Sequence, residues 1–90
     1  MLSFLPKTPF EIQNELKAKF RTKRKTLKLT QEQLSIKSDV SLGSLKRFES
    51  SGQISLESLL KLAFVLECLD DFEEVCMQRG ELPRSIEDLL

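Results

Sequence analysis

The stretch Leu29-Thr30-Gln31-Glu32-Gln33-Leu34-Ser35-Ile36-Lys37-Ser38-Asp39-Val40-Ser41-Leu42-Gly43-Ser44-Leu45-Lys46-Arg47-Phe48-Glu49 holds two helix starts in quick succession. Thr30-Gln31-Glu32-Gln33 is a capping box: the Thr hydroxyl can accept from the backbone N–H of Gln33, and the Gln33 side chain can reach back to Thr30. It predicts a short helix through about Lys37, with Leu34 facing the core. Ser35 is small enough to let another helix cross closely. Ser38-Asp39-Val40 reads as a tight turn, because Asp tolerates the left-handed conformation better than most non-glycine residues. Ser41 then caps another helix from Leu42 to about Ser50, with Leu45 and Phe48 turned inward. Ser51-Gly52-Gln53 ends it.

Working outward, the N-terminal side opens with Thr8-Pro9-Phe10-Glu11, a second capping box with Pro at the first helical position. Ile12, Leu16 and Phe20 recur every four residues and predict one buried stripe on a helix ending near Thr26 or Leu27. Residues 1–7 read as an irregular arm. On the C-terminal side, Ser55 caps a helix to about Glu67. Leu59, Leu62, Ala63 and Leu66 form its inner face, and Leu56, Leu60 and Phe64 widen it, so it needs cover on two sides. A fifth helix is expected from Leu69 to Gln78, carrying Phe72, Val75 and Cys76, with Asp70 and Asp71 at its N-terminal dipole and Gly80 ending it. Residues 79–90 are a tail holding a helical turn or a docking segment. The expectation is an all-α, compact five-helix domain over residues 8–78.

Composition agrees with one helical domain. The chain has 90 residues, 40% of them apolar, with three Gly and three Pro, which suits a single core rather than disorder. Cys68 and Cys76 lie eight residues apart, about 12 Å along a helix, too far for an internal disulfide. Both are expected as small buried or half-buried residues. The chain has no His and no Cys-x-x-Cys, so no zinc site, metal or cofactor is expected. No apolar run is long enough to span a membrane, and the first residues lack the basic start and apolar core of a signal peptide. A reducing cytoplasm is the expected location.

The net charge is zero, but it is divided. Residues 1–50 hold eleven Lys/Arg against five Asp/Glu, and residues 51–90 hold three against nine. Lys17 to Lys28 carries seven basic residues and no acid. A basic half suits a polyanion, with the acidic half turned away.

The central stretch also has helix-turn-helix spacing. Leu34, Val40 and Leu45 would hold the two short helices at a fixed crossing angle, so that the second can enter a major groove about 12 Å wide. Read as Arg24-x-x-x-x-Leu29-Thr30-Gln31-x-x-Leu34, Val40-Ser41, Phe48-Glu49 and Leu59-x-x-Leu62-Ala63-x-x-Leu66, the sequence resembles the lambda-repressor/Cro-like (XRE) family, over about Ile12 to Val75. The run Ser44 to Glu49, then Gly52-Gln53-Ile54-Ser55-Leu56, resembles the narrower HipB-like group, antitoxin-repressors encoded beside Hip-type kinase toxins.

The resemblance implies a lambda-repressor-like fold and a double-stranded DNA operator as ligand. Leu42, Gly43, Ser44 and Arg47 would read bases, with Arg47 as a bidentate donor to guanine and Leu42 against a thymine methyl. Gly43 has a cost inside a helix that close approach to DNA would explain. Gln31 would bind a phosphate at a helix N-terminus, and Lys46, Arg21, Lys23, Lys25 and Lys28 would contact the DNA backbone. Arg24 and Glu49 match the positions of a structural ion pair. Ser35 and Asp39 stand where the family usually has Ala and Gly, the loop after Glu49 is one residue longer, and Ser51 to Ser55 lack the basic residues this loop often carries.

The function expected is a transcriptional repressor that is also the autoregulating antitoxin of a Hip-type operon. Alternatives are a stand-alone phage-type repressor, or a protein-interaction adaptor that has lost tight DNA binding. A homodimer is expected, because one helix-turn-helix reads only half a site; half-sites would sit about 34 Å apart. Phe72, Val75, Ile86 and Leu89 are candidates for the dimer or toxin contact. Catalysis and a small-molecule ligand are not expected, since no Gly-rich phosphate loop or metal-ligand cluster is present.

Overall fold

The computed structural model describes residues 6–77. Among them, four α-helices and one 3-10 helix follow in order: α1 Pro9–Thr26, α2 Gln31–Ser38, α3 Leu42–Ser51, α4 Leu56–Val65, and the 3-10 helix Leu69–Glu74. This all-helical arrangement is that of a small lambda-repressor-type domain. Most of the arm 1–7, the end of the fifth helix at Gln78, the stop at Gly80 and the tail 79–90 with Ile86 and Leu89 lie outside the described residues.

Each α-helix starts where a hydroxyl can take an orphan backbone N–H. Thr8 Oγ1 accepts from Glu11 N at 3.1 Å while Glu11 Oε1 accepts from Thr8 N at 2.9 Å. Thr30 and Gln33 make the same reciprocal pair at 3.0 and 2.8 Å. Ser41 and Ser55 each accept from the N–H three residues on, both at 3.1 Å. Such caps contribute about 1 kcal/mol apiece.

The helix ends are less conventional. Lys28 and Glu67 both adopt the left-handed conformation, φ 60° and 65°. In each case the next residue donates back five positions, Leu29 N to Arg24 O at 3.1 Å and Cys68 N to Ala63 O at 2.9 Å. These are Schellman closures built without glycine, and the second stops α4 two residues before its expected end. Asp39 takes φ 61° in the α2–α3 turn. Ser35 Oγ donates to Val40 O at 2.6 Å, and Val40 N donates to Ser38 Oγ at 3.2 Å, so Ser35, expected only to let a helix cross closely, fastens the turn.

The core is Phe20, Leu34, Val40, Leu45, Phe48, Leu59, Leu62, Ala63 and Leu66. It draws on all four α-helices and the turn, so the two short central helices are held by packing rather than by their own length. Phe20 meets Phe48 edge to face at 5.5 Å and Phe72 at 6.4 Å, which joins α1, α3 and the 3-10 helix in one aromatic cluster.

Three expectations need correction. Ile12 is exposed rather than part of the stripe: a four-residue repeat rotates about 40° per step, so two steps carry it about 80° from Phe20. The fifth helix is a 3-10 segment ending at Glu74, with Val75 extended and 64% exposed. Cys68 gives it no side-chain cap, and Asp70, Asp71, Glu73 and Glu74 set like charges three and four apart. Cys76 is consequently exposed and left-handed, whereas Cys68 is half-buried.

Outside the core, α4 keeps Leu56, Leu60 and Phe64 on one side, Phe64 being 71% exposed. Leu60, Phe64, Val65 and Leu69 line a shallow cleft there, with Lys37, Glu57 and Lys61 at its rim. No helix of the described residues is long and apolar enough to cross a membrane.

Candidate nucleic-acid interface

Orientation of α3 begins with one buried ion pair. Arg24 Nε donates to Glu49 Oε2 at 2.7 Å and Nη2 donates to Oε1 at 3.0 Å. Nη1 donates to Leu29 O at 2.8 Å, at the end of α1. The two side chains are only 9% and 6% exposed. Burial pushes the Glu49 carboxyl up, but hydrogen bonds from Arg24 and Gln31 and the charges of Arg24 and Arg21 outweigh it, leaving the group below its ordinary range. The pair is a fork-to-fork contact, which fixes angle as well as distance.

Further contacts lock α1 against the C-terminal end of α3. Lys17 Nζ donates to Ser50 O at 2.9 Å, and Gln13 Nε2 donates to Gly52 O at 3.1 Å. A cation is favourable at a helix C-terminus. Gly52 ends α3 at φ 84°, a left-handed conformation that favours glycine. Lys17 therefore serves the fold although it belongs to the basic run.

With its C-terminal end fixed and Leu45 and Phe48 in the core, α3 presents its opposite face outward. Gly43, Ser44, Lys46 and Arg47 are exposed and Leu42 is half-buried. A Cβ at Gly43 would have nothing within 4 Å, so no packing within the domain calls for glycine there. Ser44 Oγ accepts from Ser41 Oγ at 2.9 Å. Arg47 Nη2 donates to Gln53 Oε1 at 2.7 Å.

Beside this surface, an open cleft is lined by Arg21, Arg24, Thr30, Gln31, Lys46 and Glu49. It combines the exposed cations Arg21 and Lys46 with the N-terminus of α2, an arrangement suited to an anion. Gln31 differs from expectation in one respect: its Nε2 donates to Glu49 Oε1 at 2.9 Å, which ties it to the ion pair and leaves one amide N–H over. Lys25 is exposed on α1, one turn from Arg21, and Lys28 is exposed just beyond the helix.

Lys23 does not join this set. It borders a groove with Leu16, Phe20, Cys68 and Phe72, because two residues along a helix turn about 200° and carry it to the far side from Arg21. Burial, and then the Asp71 carboxylate, push the Cys68 thiol up, so it stays protonated and unreactive at neutral pH. The sequence reading gave Gln13 and Gln53 no role at the site and counted Lys17 only within the basic run; the longer loop after Glu49 and the Gly52–Leu56 run were the signs pointing toward Gln53. Among the described residues no group of His, Cys, Asp and Glu is arranged to hold a metal.

A family model described as helix-turn-helix matches residues 20–68, from the middle of α1 to the end of the α4 closure. No curated protein and no solved structure matches the chain.

Proposed function

From a chain that belongs to the XRE-type helix-turn-helix family, we propose a DNA-binding transcription regulator that represses its own operon by seating α3 in the major groove. The observation that carries this reading is Gly43. It lies near the start of an exposed helix, costs about 1 kcal/mol relative to Ala, and has no neighbour within the domain that would require it. Backbone approach to a DNA strand supplies the missing reason. Leu42, Ser44 and Arg47 would then face base edges, while Arg21, Gln31, Lys46, Lys25 and Lys28 would face phosphates.

Titration of duplex DNA from directly upstream of the gene, followed by anisotropy at several salt concentrations, tests the reading. Preference over random duplex, with a log–log salt slope of about −0.9 per phosphate contacted, is the expected result. Binding without preference removes autoregulation. No binding at all makes a protein-interaction adaptor the better description.

A homodimer is part of the proposal, since a single module reads half a site. The α4 face supports it: Phe64 stands beside an apolar cleft whose rim carries both Glu57 and Lys61. Glu57 and Lys61 pair within α4 at 3.6 Å, and a two-fold axis there would lay this pair against its copy, so that each acid also meets the other's lysine, the self-complementarity that a symmetric pair needs. Sedimentation of the wild type as a dimer and of Phe64→Glu as a monomer is expected; a monomeric wild type, with and without DNA, overturns it. The narrower role, antitoxin to a Hip-type kinase toxin in the cytoplasm, rests on the Ser44–Glu49 and Gly52–Leu56 runs. Co-purification with the product of a neighbouring kinase-fold gene would test it.

A further inference from the structure

We propose that Gln53, in the loop between α3 and α4, is a specificity-determining residue that positions Arg47 and offers its own amide to the neighbouring base. The inference rests on the reading of α3 as the DNA-reading helix. Three hydrogen bonds form a closed ring around the two side chains. Arg47 Nη2 donates to Gln53 Oε1 at 2.7 Å. Gln53 N donates to Ser51 Oγ at 3.1 Å, and Ser51 Oγ donates to Arg47 O at 2.7 Å. Gln53 is thus tied through its backbone to the carbonyl of the residue whose guanidinium its side chain holds. Ser50 Oγ adds a second bond to the same carbonyl at 3.1 Å.

The chemistry of the pair suits a base edge. A guanidinium has five N–H donors, and Gln53 occupies only one group of it, leaving enough for the two parallel bonds that guanine O6 and N7 accept. Holding a long exposed side chain in one rotamer removes entropy that binding would otherwise have to overcome. Gln53 Nε2 has no partner among the described residues. It lies within one amide's width of Arg47, so it can donate to an acceptor on the adjacent base pair. The extra loop residue after Glu49 therefore gains a role: in place of a basic phosphate contact, this loop delivers a neutral amide to the reading arginine.

The test is selection of preferred sequences from a random duplex library by the full chain, as wild type, Arg47→Ala, Gln53→Ala and Gln53→Met. Gln53 is exposed, so all variants are expected to melt with the wild type. Arg47→Ala should abolish the preference for one guanine, a loss of roughly tenfold or more. Gln53→Ala should weaken the same guanine preference by roughly three- to tenfold, a fraction of a full bidentate contact, and flatten the adjacent position. Affinity for unrelated duplex and the salt slope should not change, because no charge is removed. Gln53→Met keeps the length of the side chain without the amide and should match Gln53→Ala. If Gln53→Ala keeps both preferences within twofold of wild type, or if Gln53→Met restores them, positioning by the amide is overturned. If the wild type selects no consensus, the DNA-reading proposal fails first and takes this inference with it; a wild-type consensus that is lost in Arg47→Ala but unchanged in the Gln53 variants overturns this inference alone.

Discussion

Two arginines beside the C-terminal half of α3, one from α1 beneath it and one on its outer face, show how burial divides one chemistry into two roles. Arg24 lies under the C-terminal end, 9% exposed at its side chain, with its donors directed to a carboxylate and a backbone carbonyl. Arg47 projects into solvent and meets a neutral amide. The first guanidinium has its charge balanced and its geometry closed, so it can brace α1 against α3 but has little left for a polyanion. The second keeps its full charge and most of its donors. The lesson is that a basic residue in such a domain is assigned by its partner and its burial, and a count of positive charges cannot separate the two.

The largest effect that would break this contrast is on folding. Arg24→Ala should destabilise the domain by roughly 3–5 kcal/mol, because it leaves Glu49 buried without its cation; thermal unfolding measures it, and a shift of a degree or so would remove the brace. Acid probes the same pair. The folded-state carboxyl of Glu49 is lowered from 4.5, so its contribution is present above that value and lost as pH falls through the depressed one. The wild type should therefore lose stability on acidification below about pH 4.5, more steeply than Glu49→Gln. Parallel acid titrations of the two would count against the pair.

Next in size is Arg47→Ala. It should leave stability within about 0.5 kcal/mol, as exposed substitutions do, yet cost roughly 1–3 kcal/mol on the preferred duplex and little on random DNA. A variant that loses both binding modes equally would make Arg47 a phosphate contact instead. Gly43→Ala sharpens the comparison further. With open space for the methyl group, it should stabilise the free protein by up to about 1 kcal/mol and still weaken DNA binding. Unimpaired binding would remove the close-approach argument.

The smallest effect separates the two sides of α1. Arg21→Ala should lower the magnitude of the salt slope by about 0.9, one phosphate contact, whereas Lys23→Ala should leave it unchanged. Equal changes would mean that the far side of α1 also meets DNA.

Much of this was legible in the chain because it is local. Thr8, Thr30, Ser41 and Ser55 each take an N–H within three residues, so the helix starts follow from short motifs. The αL turn at Asp39 and the inward positions Leu34, Leu45, Phe48, Leu62 and Ala63 follow from spacing. The end of α1 at Thr26 was also anticipated, whereas α4 stops two residues early because its left-handed closing residue, Glu67, is not a glycine and gave no signal. The fifth helix failed because its apolar spacing was read without the repulsion among its four acids.

The sequence alone determined the starts of the four α-helices, the turn that sets α2 against α3, and the sign of charge in each half, since these depend on neighbours a few residues apart. The tertiary structure decided where the polar side chains end up. Lys17 is drawn to the end of α3, Arg24 is buried on Glu49, Lys23 is carried to the far side of α1, and Gln53 is brought to Arg47. Those outcomes depend on the rotation of each helix about its axis and on what packs beside it, and neither quantity is set by residues adjacent in the chain.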